Sequence, residues 1–224
     1  MTNFEYSGHV APASEPATRE LKNLTITKLS VGPMDNNCYL LVCRRTGESL
    51  LIDAADDPGR IADMLHLGPQ HPPLGAIVTT HQHADHWQAL EAVMKSSGAK
   101  LIAHPDDASA LPLPTDIFAE QGSHYAIGDA DIEFVHLRGH TPGSLAVLYR
   151  EPDGEDHLFT GDSLFPGGPG RTAGPPQFAR LMDDLQVRVF DVLPDSTWVY
   201  PGHGDDTTLG AERPHLTTWR ERGW

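Results

Sequence analysis

From Leu24 onward the chain falls into short apolar runs. LTITKLS, NCYLLV and SLLID are β-type in composition, and the GPMDN and RRTGE stretches between them carry turn chemistry, which predicts an antiparallel meander. Pro58 can open a helix running through Leu67 with Ile61, Met64 and Leu65 on one face, and LGAIVTT after it reads as a compact, buried strand. Residues 86–98 set Trp87, Leu90, Val93 and Met94 at helical spacing, and Gly98 stands where such a helix would stop. KLIAH is another short strand, the Pro-rich residues 111–115 lead into a loop, and IEFVHL, SLAVLY and HLFTG resume the strands. The Gly/Pro-rich FPGGPGRTAGPP precedes a helix from about Pro176 to Leu193, and TWVY is a final strand before PGHG. Strands, then helices alternating with strands, then strands and a late helix predict an α/β (α+β) fold of two sheets with helices outside. Residues 1–22 mix Pro, Ala, Ser and Glu without periodicity, so they are expected to form an extended arm ahead of a single domain at 23–224.

The composition narrows the partners. With 16 basic against 31 acidic side chains, the formal charge of -15 repels phosphate backbones and argues against nucleic acid. No run of about 18 apolar residues could cross a bilayer. The first twenty residues lack the basic start and apolar core of a secretory signal, so a cytoplasmic protein with no membrane association is expected. Cys38 and Cys43 lie five apart in one apolar run, on opposite faces of a strand, and read as buried thiols.

The chemistry is concentrated in TTHQHADHW. His81 and His83, two apart in extended backbone, point the same way, while Asp85 and His86 sit in the turn that follows. Neutral imidazole and carboxylate are ligands that zinc accepts, and packing them together without a metal would leave buried polar groups poorly paired. The alternative is a solvated His-rich turn in a chain that has 13 histidines. Three further segments weigh against that, each placing His or Asp in a Gly-rich turn after a β run: RGHTPGS with His140, FTGDSLF with Asp162, and YPGHGDD with His203. His9, His66, His71, His104, His124, His136, His157 and His215 have no such context and are assigned surface or core roles.

The ordered set HxHxDH, His140, Asp162 and His203 resembles the metallo-β-lactamase-fold hydrolases, closest to glyoxalase II-like (hydroxyacylglutathione hydrolase-like) proteins, over roughly residues 24–210. The resemblance implies a four-layer αββα sandwich with two metal ions, zinc or else iron or manganese, along one edge of the sheets. It implies that His81, His83 and His140 hold one ion, that Asp85, His86 and His203 hold the second, and that Asp162 bridges them. Asp85 and Asp162 would then be the catalytic carboxylates, acting with a hydroxide between the ions. Asp53, at the end of SLLIDA, could hold a ligand imidazole or cap a turn, and Arg171 could attract an anionic substrate or be solvated.

An aspartate at the bridging position resembles the thioester, lactone and phosphodiester branches and disfavours β-lactams. Only 21 residues follow His203, leaving out the helical region with which glyoxalase II grips glutathione, and GGPGRTA replaces the GCGR pattern of that enzyme and of persulfide dioxygenases. The expected activity is hydrolysis of a small-molecule acyl thioester or ester. The alternatives are a persulfide dioxygenase using one iron at His81, His140 and Asp162, then a lactonase or β-lactamase, or a non-catalytic metal-binding module.

Overall fold

In the computed structural model, which describes residues 6–67 and 74–223, the predicted runs assemble into two sheets packed face to face. The first sheet takes β1 (Ala17–Glu20), β2 (Leu24–Val31), β3 (Asn36–Cys43), β4 (Ser49–Ile52), β5 (Leu74–Val78), β6 (Lys100–Ala103) and β7 (Ile117–Phe118) in chain order. The strands from β1 to β4 are antiparallel, as the meander required, and β4 to β7 run parallel. The second sheet is built from β8 (His124–Ile127), β9 (Ala130–His136), β10 (Leu145–Arg150) and β11 (Asp156–Gly161). A small ribbon of β12 (Leu164–Phe165) and β13 (Gly168–Pro169) intervenes before β14 (Trp198–Pro201) and β15 (Thr207–Thr208) complete that sheet, with β14 parallel to β11.

The helices cover the outer faces. Helix α1 (Pro58–Leu65) buries Ile61 and Met64 and α2 (Leu90–Ser97) buries Leu90 and Val93 against the first sheet, with the short α3 (Pro105–Ala108) following β6. Helix α4 (Pro175–Leu185), α5 (Leu209–Glu212) and α6 (Leu216–Arg222) cover the second sheet with Phe178, Leu181, Leu209 and Trp219. Between the sheets lies the central core, with Ile26, Tyr39 and Leu41 from one sheet against Phe134, Val147 and Phe159 from the other. These layers form the αββα sandwich. Cys38 and Cys43 are buried and unbridged on opposite faces of β3, one in the outer and one in the central core.

Three boundaries differ from the sequence reading. The helix expected over 86–98 begins at Leu90, because Ala84–His86 close a 3-10 turn and the N–H groups of Gln88 and Ala89 bond to the carbonyls of Ala55 and Ala54. Helix α1 ends at Leu65, where the His66 N–H closes its last turn. Helix α4 ends at Leu185 and continues as one π-helical turn, Gln186–Phe190. Within the expected arm, Ala17–Glu20 pairs with β2 and Tyr6 donates to Asp206 at 2.6 Å. Residues 1–5 of that arm and His71 lie outside the described residues. Among the described residues no helix is long and apolar enough to cross a membrane.

Candidate metal centre

All four ligand-bearing segments leave the carboxyl ends of strands: His81 after β5, His140 after β9, Asp162 after β11 and His203 after β14. Parallel pairing of β4 with β5 and of β11 with β14 brings those ends to one edge of the sandwich. Seven side chains meet there in three overlapping groups: His81, His83 and His140; His81, His86 and Asp162; and Asp85, His86 and His203.

In the first group, His81 Nε2 lies 3.1 Å from His83 Nδ1, and His140 Nε2 lies 3.3 and 2.9 Å from those two atoms. Zinc–nitrogen bonds of about 2.0–2.1 Å separate tetrahedral ligands by roughly 3.3 Å, so the nitrogens have the spacing of a metal's ligand shell. In the group of Asp85, His86 and His203, His86 Nε2 is 3.2 Å from His203 Nε2 and 3.5 Å from Asp85 Oδ2, and His203 Nε2 is 3.4 Å from Asp85 Oδ2. Asp162 faces both groups, with Oδ1 at 3.4 Å from His86 and Oδ2 at 3.6 Å from both His140 and His203. Its Oδ1 is buried without a hydrogen-bond partner, an orphaned acceptor that a cation would satisfy. The donor set therefore fits two divalent ions.

The far sides of the rings set their tautomers. His86 Nδ1 donates to Asp53 Oδ2 at 2.8 Å, His140 Nδ1 to the Arg171 carbonyl at 2.6 Å and His203 Nδ1 to the Met34 carbonyl at 2.9 Å, so that in the neutral rings each Nε2 is the one with a lone pair aimed inward. Asp53 also accepts from Thr80 N and Thr80 Oγ1, each at 2.8 Å, and Thr80 Oγ1 lies 3.0 Å from His81 Nδ1, so one buried carboxylate orients two ligand rings. Arg171 enters through its carbonyl, and its exposed side chain is not among the residues lining the adjoining cleft.

Burial holds His81 and His140 below the usual imidazole range, which suits neutral ligands. Burial also opposes charge on His86, but Asp53 and Asp162 outweigh it and raise that ring to about 10. For Asp162 burial favours the protonated acid, yet the neighbouring His203 and His86 rings outweigh it and hold the carboxyl far below the usual carboxylate range. In the metal-free protein a proton thus sits where the carboxylates call for positive charge, and a cation entering there displaces it.

Sequence reasoning passed over Asn36, whose side-chain amide donates to Asp85 Oδ2 at 3.0 Å. In NNCYLLV it reads as the start of a strand, and its role follows from an isolated bridge to His203 that no local pattern announces. Gly202, the glycine of PGHG that precedes His203, has a spatial requirement: a Cβ there would stand 2.2 Å from Asp162 Oδ1 and 2.7 Å from the His86 ring. A further cluster of His104, Asp106 and His136 lies apart. Its two rings stack 3.8 Å apart at 28° instead of converging in plane, with His104 Nδ1 accepting from Asp106 N and His136 Nε2 donating to the Pro142 carbonyl.

A cleft of about 440 Å³ opens beside His83 and His140, lined also by Gln82, Pro142, Gln177 and Arg180. Arg138 on its wall is held by Asp184 through bonds of 2.8 and 2.7 Å.

Residues 31–203 match the metallo-beta-lactamase superfamily, and the chain belongs to it. It is 31% identical over 223 residues to an uncharacterized protein of Mycobacterium tuberculosis, covering 85% of this chain and 95% of that one. It is 34% identical over 173 residues to a hydroxyacylglutathione hydrolase of Rhodospirillum rubrum, covering 75% of this chain but only 62% of that enzyme. Among solved structures, the B3 metallo-beta-lactamase BLEG-1 superposes with a TM-score of 0.74 at 25% identity, over 86% of this chain and 98% of that one. TTHA1623 in a di-iron-bound form gives 0.68 at 30% identity over 83% and 96% of the two chains. ETHE1 from Myxococcus xanthus gives 0.74 at 27% identity over 88% and 84%.

Proposed function

We propose that the protein is a dinuclear metallohydrolase acting on a small acyl thioester or comparable ester. The observation that carries this reading is Asp162: one carboxylate faces His140 on one side and His86 and His203 on the other, with a buried oxygen that no protein donor satisfies. His81, His83 and His140 would hold one ion, Asp85, His86 and His203 the other, and Asp162 both; zinc is the first choice, with iron or manganese as alternatives. Two such cations, when bound, would lower the pKa of a water for attack and polarise the scissile carbonyl.

The chain's own groups supply the rest. Asn36 fixes Asp85 through Oδ2, leaving Oδ1 to orient the attacking water and take its proton. Asp53 and the carbonyls of Arg171 and Met34 keep the ligand rings in their inward tautomers. The cleft beside His83 and His140 would receive the substrate, and the thiol or alcohol would leave through it once the new C–O bond has formed, the old C–S or C–O bond has broken and the proton taken by Asp85 has passed to the leaving sulfur or oxygen. The shared sequence with hydroxyacylglutathione hydrolase supports the thioester class, while the 62% coverage of that enzyme leaves the carrier thiol open.

A second reading, a persulfide dioxygenase with one iron at His81, His140 and Asp162, is supported by the placing of His140 Nε2 at 3.3 Å from His81 Nε2 and 3.6 Å from Asp162 Oδ2, a two-histidine, one-carboxylate face. Metal analysis and a substrate panel separate the two. The hydrolase should carry close to two ions per chain when metal is replete and should turn over acyl thioesters faster than lactones or a chromogenic cephalosporin. Saturation at one iron with oxygen consumption on a persulfide would replace it with the dioxygenase, and a cephalosporin as fastest substrate would make it a β-lactamase.

A further inference from the structure

One carboxylate outside the ligand set touches both loops that carry the first histidine group. Asp107 stands on α3, directly after β6, and is 1% exposed. Its Oδ2 accepts from the main-chain N–H of Gln82 at 3.0 Å and from the Thr141 hydroxyl at 2.6 Å, and its Oδ1 accepts from the Gly143 N–H at 2.8 Å. Gln82 is the residue between His81 and His83, and Thr141 follows His140. The Gln82 carbonyl in turn accepts from the Trp87 indole N–H at 2.9 Å, so that residue is gripped on both its N–H and its C=O. Gly143 can approach only without a side chain, since a Cβ there would lie 2.8 Å from Asp107 Cγ.

The two loops come from different sheets, β5 in one and β9 in the other. The three imidazole nitrogens 2.9–3.3 Å apart come from both loops, so their spacing depends on how the loops are held relative to each other. Among the interactions described above, Asp107 is the side chain that ties them directly. We propose that Asp107 is a positioning residue for the His81, His83 and His140 metal site: it clamps the two loops across the sheets and sets ligand spacing before the ion arrives. Asp107 makes no hydrogen bond to Asp85, His86 or His203 themselves, so its effect should fall mainly on one of two ions. The inference rests on the ligand assignment of the proposed function and is independent of the substrate.

The test compares parent, Asp107→Asn, Asp107→Ala and Thr141→Val, each stripped of metal and reloaded with zinc against a chromophoric zinc chelator, with thermal unfolding of the metal-free forms alongside. Losing an outer partner of a metal ligand typically weakens affinity by about 10- to 100-fold. That loss is expected for one ion in Asp107→Ala, less in Asp107→Asn and Thr141→Val, which keep part of the clamp, while the other ion is held as in the parent. Cobalt loading should show an altered visible spectrum at the weakened site. Retention of both ions at parental affinity in all three variants would overturn the proposal. So would equal weakening of both ions in step with a lower melting temperature of the metal-free protein, which is the mark of a general structural role. Because no readout is catalytic, failure to hydrolyse thioesters would sink the substrate assignment without touching this comparison.

Discussion

Asp162 lies 3.4–3.6 Å from three imidazole nitrogens, one in the group of His81, His83 and His140 and two in the group of Asp85, His86 and His203. In the proposed centre its charge offsets repulsion between two cations, so Asp162→Asn, which keeps the volume and removes that charge, should release one ion with the fold intact. Activity is expected to fall about 100-fold or more, the scale of losing a main transition-state contact. Metal content and turnover of the purified variant check this together, and a variant that kept both ions and normal turnover would refute a bridging role. Gly202→Ala attacks the same carboxylate from outside, since its methyl would stand 2.2 Å from Asp162 Oδ1. It should lose metal and activity while the circular dichroism spectrum stays that of the parent; full metal occupancy would show that the loop can yield at no cost. The candidate ligands were legible in the sequence because four of them crowd into TTHQHADHW and His140, Asp162 and His203 each sit in a glycine-marked turn. Asn36 and Asp107 were not, because their roles depend on loops 49 and 25 residues away along the chain.

At the scale of elements, the strands with β-branched or continuous apolar composition, β2 to β6, β9 to β11 and β14, could be read directly, because burial on both faces leaves little room for polar positions. β1 could not: ATRE alternates half-buried and exposed positions and owes its existence to pairing with β2. The segment leading to it is anchored by a buried charge that local pattern also hides. Lys28 Nζ donates to the carbonyls of Gly8 and Gly204 at 2.8 and 2.7 Å and to Asp206 at 2.7 Å, joining β2, the N-terminal segment and the loop that carries His203. Lys28→Met strands the fully buried Asp206 carboxylate, and breaking such a pair costs about 3–5 kcal/mol. Urea unfolding of the metal-free protein should show that loss, with most of it recovered when Asp206→Asn is added. A Lys28→Met variant as stable as the parent would mean that the pair contributes nothing beyond its packing.

For the molecule as a whole, acid stability should be governed in part by His157, far from any ligand group. It is 1% exposed on β11, and its Nδ1 lies 2.9 Å from the Tyr200 hydroxyl, which also accepts from Arg19 at 3.3 Å. Burial, reinforced by the Arg19 charge, pushes this imidazole down to about 3. An unfolded histidine titrates near 6.5, so between about pH 6.5 and 3 the unfolded chain binds a proton that the folded protein refuses. Stability therefore falls as the pH falls: the contribution of neutral His157 is intact above about 6.5 and declines until the folded group titrates near 3. From pH 7 to 4 this one residue accounts for about 3 kcal/mol at 1.36 kcal/mol per pH unit. Other groups, Asp162 among them, also contribute to the acid slope, so the measurement is a difference between parent and His157→Phe, which preserves bulk and cannot take up a proton. Metal-free protein should be used for both, since acid would otherwise release ions as well. Chemical denaturation at pH 7 and pH 4 should find the variant losing about 3 kcal/mol less than the parent over that interval, even if it starts lower at pH 7 for want of the Tyr200 contact. Identical losses in the two proteins would mean that His157 accepts its proton while folded and that the Tyr200 and Arg19 cluster does not exclude charge.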